Sequence, residues 1–193
     1  MLSLQESLKI LKETNALIEG HFILSSGLHS SKYVQCAQLM SKPDKANKIC
    51  IDLAHKIEKE FSEFDLILSP AMGGIVIGYE IGRILKKETI FSERLNGEFQ
   101  LRRGFRINRN SKVLILEDVI TTGKSSLECS KLVSSNQGKL IGYACIIDRS
   151  NGKSLINDKI VSQIKLDIPT YTKDNLPKEL LSLVPVKPGS RNL

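Results

Sequence analysis

Apolar residues fall along the chain in two rhythms, a three-to-four-residue spacing and short unbroken runs, and their alternation predicts a parallel α/β fold. Leu4, Leu8, Leu11 and Leu17 share a helical face and predict a first helix ended by Gly20. Phe22 to Leu24 and Lys32 to Cys36, joined through Ser25-Ser26-Gly27, predict a hairpin. Ser41 with Pro43 opens a helix whose apolar face is Ala46, Ile49, Cys50, Leu53, Ala54 and Ile57. Asp65 to Ser69 reads as a buried strand, followed by Pro70-Ala71-Met72-Gly73-Gly74 and a helix from about Ile75 to Lys86. Further strands are expected at Thr89 to Ser92, Val113 to Leu116 and Leu140 to Asp148, with a helix from about Lys124 to Ser134 between the last two. Right-handed crossovers would bring Ser69, Glu117 and Asp148 to one edge of the sheet, where open α/β sheets bind ligands.

The strand from Val113 carries the most chemistry. Four apolar residues without polar alternation suit burial on both faces, and the run ends in Glu117 and Asp118. Two adjacent carboxylates there cost free energy unless something binds them, and vicinal ribose hydroxyls or a magnesium-bound sugar would do so. Val119 and Ile120 lead into Thr121, Thr122, Gly123, Lys124 and Ser125, which offer N–H groups and hydroxyls to a phosphate at a helix start. The same residues also fit an ordinary turn with Thr and Ser as helix caps. Gly123-Lys124-Ser125 resembles the end of a triphosphate-binding loop, but that loop needs a glycine five positions earlier, where this chain has Asp118. Pro70 to Gly74 reads either as a second anion loop or as a tight strand-to-helix turn. The planar fork of Arg149 suits bidentate pairing with a ligand carboxylate, but on the residues alone a surface pair with an aspartate is the better reading.

Composition narrows the class. At 193 residues and 41% hydrophobic content, one domain with a small appendage is expected. The net charge of +7 is concentrated between Arg94 and Lys112, where Arg94, Arg102, Arg103, Arg106, Arg109 and Lys112 face one acid, Glu98. This stretch reads as a mobile cationic loop or ribbon, or as a solvated hairpin turning at Asn96-Gly97. With 5% aromatic residues and no tryptophan, the chain lacks the stacking platforms of a nucleic-acid binder. No apolar stretch reaches the roughly 18 to 20 residues that span a bilayer, and a cytoplasmic location is expected. Cys36, Cys50, Cys129 and Cys145 have no metal or redox spacing and are expected as buried free thiols. His21 and His29 adjoin no nucleophile and are expected to be structural, and His55 to be exposed.

The segment Glu117 to Ser125 carries the type I phosphoribosyltransferase signature, and with four other stretches the chain resembles the orotate phosphoribosyltransferase family nearly end to end. Those stretches are Gly20 to Ser30, Pro70 to Gly74, Leu101-Arg102-Arg103-Gly104-Phe105 and Asp148-Arg149; Lys187-Pro188-Gly189-Ser190-Arg191 resembles the ending of one branch. The resemblance implies an α/β fold of the type I phosphoribosyltransferase kind, a parallel sheet flanked by helices. Residues 41–164 would be its core and residues 1–40 a hood, with residues 165–193 packing near it. It implies magnesium-dependent transfer of ribose 5-phosphate from 5-phosphoribosyl 1-diphosphate to orotate, giving orotidine 5′-phosphate. Arg94, Arg102, Arg103 and Asp118 would be catalytic. Ala71, Met72 and Gly73 with Glu117, Asp118, Val119, Ile120, Thr121, Thr122, Gly123, Lys124 and Ser125 would hold the sugar diphosphate. Thr121, Arg149, Phe22, Ser26 and Gly27 would hold orotate, and magnesium would ride mainly on the sugar diphosphate. A homodimer sharing the cationic loop across its interface is implied as well. The chain departs from the family in Ser25, where relatives have a lysine, and in a shorter cationic loop without the mid-loop lysine and histidine.

Overall fold

The computed structural model describes residues 1–24 and 26–188. Ser25, and with it the departure from the family lysine, lies outside the described residues, as does Gly189-Ser190-Arg191 of the closing stretch. The first helix, α1 (Leu4–Glu13), starts in a capping box between Ser3 and Glu6 and is shorter than its apolar spacing predicts. Asn15 takes a left-handed conformation (φ 56°) that no helix continues, so Leu17 and Gly20 belong instead to strand β1 (Leu17–Ile23). Its partner is β2 (His29–Val34), in register from Leu17↔Val34 to Ile23↔His29 with an irregularity between Glu19 and Phe22. The hairpin is thus longer than predicted on the β1 side, and Cys36 opens the short α2 (Cys36–Met40) rather than closing a strand.

α3 (Pro43–Glu60) has proline in its first turn and buries Ala46, Ile49, Cys50, Leu53, Ala54 and Ile57, the face its spacing predicts. Then follow β3 (Leu66–Pro70), α4 (Gly73–Leu85), β4 (Glu88–Leu95), β5 (Glu98–Leu101), β6 (Lys112–Ile120), α5 (Lys124–Ser135), β7 (Lys139–Asp148), β8 (Ile160–Lys165), β9 (Thr170–Tyr171) and α6 (Lys178–Leu181). Six strands form one sheet in the order β5-β4-β3-β6-β7-β8, parallel except for the β4–β5 hairpin. β8 escapes a hydrophobic reading because Ser162 and Gln163 interrupt it. Gln163 is nonetheless buried, its amide donating to Asp52 Oδ2 (2.8 Å) and Ser7 Oγ (3.1 Å). The cationic segment is an ordered hairpin up to Leu101, turning at Asn96 and Gly97, both with positive φ.

Two apolar layers sandwich the sheet. Leu114 and Leu116 of β6 join Leu53, Ile57, Ile77 and Ile81 of α3 and α4, while Val113 and Ile115 join Cys129 and Val133 of α5. A second, antiparallel sheet runs β1-β2-β9, so residues 170–171 pair with the amino-terminal hairpin. Val186 bridges to Phe22 on the outer side of β1, taking Ile23 N–H (2.9 Å) and giving its own N–H to His21 O (2.8 Å). The four cysteines are free and buried. Among the described residues no helix is long and apolar enough to cross a membrane.

Candidate functional site

Strand order reverses between β3 and β6: the chain leaves β3 toward β4 on one side and leaves β6 toward β7 on the other. Such a switch point opens a crevice at the carboxyl ends of its two strands. β3 and β6 pair only as far as Leu68↔Ile115, so Glu117 and Asp118 lie past the last paired position of the two strands. β6 alternates side chains between the two layers, and this parity sends the adjacent acids to opposite faces. Glu117 meets α5, where the Ser126 hydroxyl donates to its Oε2 at 2.5 Å. Asp118 lies against the start of α4, with its Oδ1 taking the Val119 N–H at 2.9 Å. Burial pushes the Glu117 carboxyl up to about 7, against the pull of the Ser126 hydrogen bond and with a further push from the charge of Asp118. Asp118 is raised too, by burial, against its backbone hydrogen bonds. Among the described residues neither carboxylate has an ion-pair partner.

Each acid is flanked by a helix start. On the β3 side, Pro70 pairs with Ser92, Ala71 N–H donates to Ser92 O (2.8 Å), and the Ala71–Met72 peptide is cis. Met72 is exposed and Gly73 begins α4. A side chain on Gly73 would put its Cβ 2.6 Å from Asp118 Oδ2, so only glycine lets the carboxylate lie against the helix end. On the β6 side, Thr121, Thr122 and Lys124 are exposed around Gly123, whose left-handed backbone (φ 78°) turns the chain into α5. Leu155 N–H donates to Thr122 O (2.9 Å), so the segment after β7 braces this loop.

Arg149 follows β7 directly, its N–H donating to Ile120 O (2.8 Å). Its side chain is half-buried, its Nε has no partner, and burial pulls its pKa down while Tyr33 opposes the shift. Phe22 is buried with its ring 5.7 Å from that of Tyr33, and Gly27 turns the neighbouring loop at φ 81° beside Ser26. His21 and His29 are buried and paired, Nε2 to Nδ1, at 2.6 Å, and His21 Nδ1 lies 3.1 Å from Leu183 O. A carbonyl only accepts, so His21 donates there, and the pair ties β1 and β2 to the carboxyl-terminal segment. His55 is exposed.

The hairpin arginines are not brought together. Arg94 lies on the α5 face, where it pairs with Glu128 (2.5 Å) and sits 4.1 Å over the Phe99 ring. Arg103 pairs with Glu93 through two bonds (3.0 and 2.9 Å) on the other face, and Arg102 reaches the same acid at 3.9 Å. Ser126 is the residue at this site that linear order does not single out: it stands one place past the hydroxyl run, and only the helical turn aims it at Glu117. A cavity of about 300 Å³ lies at the opposite edge of the sheet, between Asp65, Glu88, Gly104 and Arg106, and none of the predicted site residues lines it.

The model of the phosphoribosyl transferase domain matches residues 42–174. Orotate phosphoribosyltransferase of Parvibaculum lavamentivorans is 45% identical over 189 residues, covering 96% of this chain and 97% of its own. That of Rhizorhabdus wittichii is 45% identical over 188 residues, covering 97% and 96%. The fold is shared with a crystal structure of orotate phosphoribosyltransferase from Aeropyrum pernix (TM-score 0.71, 22% identity, 82% of this chain and 92% of that one). It is also shared with adenine phosphoribosyltransferase from Thermoanaerobacter pseudethanolicus (TM-score 0.62, 20% identity, 70% and 88%).

Proposed function

The chain belongs to the orotate phosphoribosyltransferases of the phosphoribosyl transferase family, and from that premise we propose that the crevice between β3 and β6 is where it joins ribose 5-phosphate to orotate. The family's reaction, a step of pyrimidine biosynthesis, consumes 5-phosphoribosyl 1-diphosphate and yields orotidine 5′-phosphate and diphosphate. One observation carries the reading of the site: two carboxylates without cationic partners stand at the switch point, each beside its own helix start. In this reading Thr121 to Ser125 and the start of α5 take the 5-phosphate, while Ala71, Met72 and Gly73 with the start of α4 take the diphosphate. Val119 and Ile120 carry the backbone between the acids and that loop.

The reaction replaces diphosphate by orotate N1 at the anomeric carbon. Positive charge gathers on the ribose ring and negative charge on the leaving group, so stabilisation is mainly electrostatic. Glu117 and Asp118 accept the ribose hydroxyls and face the cationic ring from two sides. Arg149 meets the orotate carboxylate, since a buried guanidinium nitrogen without a partner is costly until an anion satisfies it. Thr121, Phe22, Ser26 and Gly27 complete the base end. Glu117, Asp118, Thr121 and Thr122 line the crevice with oxygen atoms, the chemistry magnesium prefers nearby; the ion would be carried mainly on the diphosphate, with no side chain assigned to it. When bound, it neutralises part of the leaving group's charge.

The reading extends to a homodimer in which Arg94, Arg102 and Arg103 serve the partner's crevice. Met72, Val76 and Tyr79 are 81%, 52% and 68% exposed, and their spacing puts them on one side of α4 beside the diphosphate turn, which supports an interface there. It also treats residues 1–40 as a hood over the core 41–164, in keeping with the pairing of Thr170–Tyr171 and Val186 on the amino-terminal hairpin. Four free thiols suit a reducing compartment such as the cytoplasm. The test mixes protein, orotate, the sugar diphosphate and magnesium, and follows loss of orotate absorbance with diphosphate release. Turnover with adenine but none with orotate would overturn it.

A further inference from the structure

We infer that Ser126 is a positioning residue for Glu117, holding its carboxylate at the sugar end of the crevice in the orientation and ionised form that accept ribose hydroxyls. The inference rests on the reading above, in which Glu117 faces the ribose. Ser126 is fully buried in the first turn of α5, and its hydroxyl donates to Glu117 Oε2 at 2.5 Å. A serine inside a helix more often returns its hydroxyl to the carbonyl one turn back. Here that carbonyl, Thr122 O, already takes the N–H of Leu155 at 2.9 Å, and Ser126 is given to the acid. Its position follows from a helix packed on the sheet, not from a surface loop, so the hydrogen bond has a fixed origin.

The surroundings of Glu117 leave this bond unusually important. Asp118 adds negative charge from the same strand. Cys145 is its register partner on β7, and Cys129 lies one turn beyond Ser126 on α5, where Ser92 Oγ is 3.2 Å from the thiol. Burial pushes the Cys129 thiol up to about 12 and the Cys145 thiol well above its usual value, so both are neutral and supply no charge. Arg94, whose charge acts on Cys129, is engaged with Glu128. Among the described residues, Ser126 is therefore the one hydrogen-bond donor to the Glu117 carboxylate.

The experiment measures kcat/KM for the sugar diphosphate against pH in wild type, Ser126→Ala and Ser126→Cys, with Glu117→Gln as the control that identifies the acid limb. Ser126→Cys keeps the side-chain shape at a slightly larger volume while replacing a good donor with a weak one. Losing one hydrogen bond to a charged group is expected to move the acid limb up by about one pH unit in both variants, with the plateau above it kept within about threefold. A limb that stays in place in both variants overturns the inference. So does an equal loss at every pH, or a wild-type profile in Ser126→Cys alone, since packing rather than the hydroxyl would then be responsible. A wild type inert toward orotate defeats the reading of the site itself, whereas an active wild type with unmoved limbs defeats only the role of Ser126.

Discussion

Gly73→Ala tests whether the turn proposed for the diphosphate and the acid proposed for the ribose, Asp118, are one mechanical unit. The backbone of Gly73 is that of an ordinary helix start, and alanine there would by itself favour the helix by up to about 1 kcal/mol. Against this, the new Cβ would stand 2.6 Å from Asp118 Oδ2 and 2.8 Å from both Cγ and Oδ1, closer than real Cβ contacts come. The carboxylate must turn away and give up its bond from Val119 N–H, a charge-assisted bond worth about 1.5–3 kcal/mol. The net cost is then about 1–2 kcal/mol, a drop in Tm of only a few degrees at roughly 2–4 °C per kcal/mol for a chain of this size. Activity should fall much further, because a catalytic group displaced by about 1 Å can cost a hundredfold. The expected result is kcat/KM for the sugar diphosphate down by about ten- to a hundredfold in a folded protein. In a double-mutant cycle, Gly73→Ala should be neutral or stabilising once Asp118→Ala has removed the clash. Wild-type kcat/KM together with additive stabilities would refute the reasoning.

If the loop acts on the leaving group as proposed, Arg103→Ala and Arg94→Ala should each lower turnover at least about tenfold while leaving orotate affinity within a few-fold; near-normal turnover in both would remove the loop from the mechanism. Gly123→Ala forces a left-handed alanine (φ 78°) whose Cβ would lie 2.7 Å from Ser154 Oγ and 2.8 Å from the Ile156 side chain. It should cost at least about 2 kcal/mol by urea midpoint, and an unchanged midpoint would contradict the packing described. Glu117 offers a stability test with a definite sign. Its folded pKa of about 7 lies above the ordinary 4.5, so its contribution is intact below pH 4.5 and is lost as pH rises through 7. Glu117→Gln should therefore match wild type near pH 4.5 and exceed it by up to about 3 kcal/mol above pH 7; a difference independent of pH would rule this out.

The strand from Val113, the face of α3 and the acid pair were legible because unbroken apolar runs and regular spacing leave few alternatives. The split of Glu117 and Asp118 between the two faces was not read, although adjacent strand residues point to opposite faces. β8 was not, because Gln163 owes its place to partners on α3 and α1 that are distant in sequence. The end of α1 was set by one left-handed asparagine, against an apolar spacing that would have carried the helix on. Arg94 and Arg103 sit in one short cationic stretch, yet the turn at Asn96-Gly97 folds it back and assigns them to opposite faces. Ser126 needed a helix to be packed against a strand before its neighbour could be known.

The Val186 bridge to Phe22 has a meaning for solubility. The outer side of β1 is a strand edge, and an uncovered edge offers its amides and carbonyls as a template to any other extended chain. Val186 occupies that edge from within, taking the Ile23 N–H and filling the His21 carbonyl. Strand-to-strand stacking between copies is thereby blocked by the chain's own carboxyl-terminal segment, so the stretch that fastens the amino-terminal hairpin also serves as its guard against aggregation.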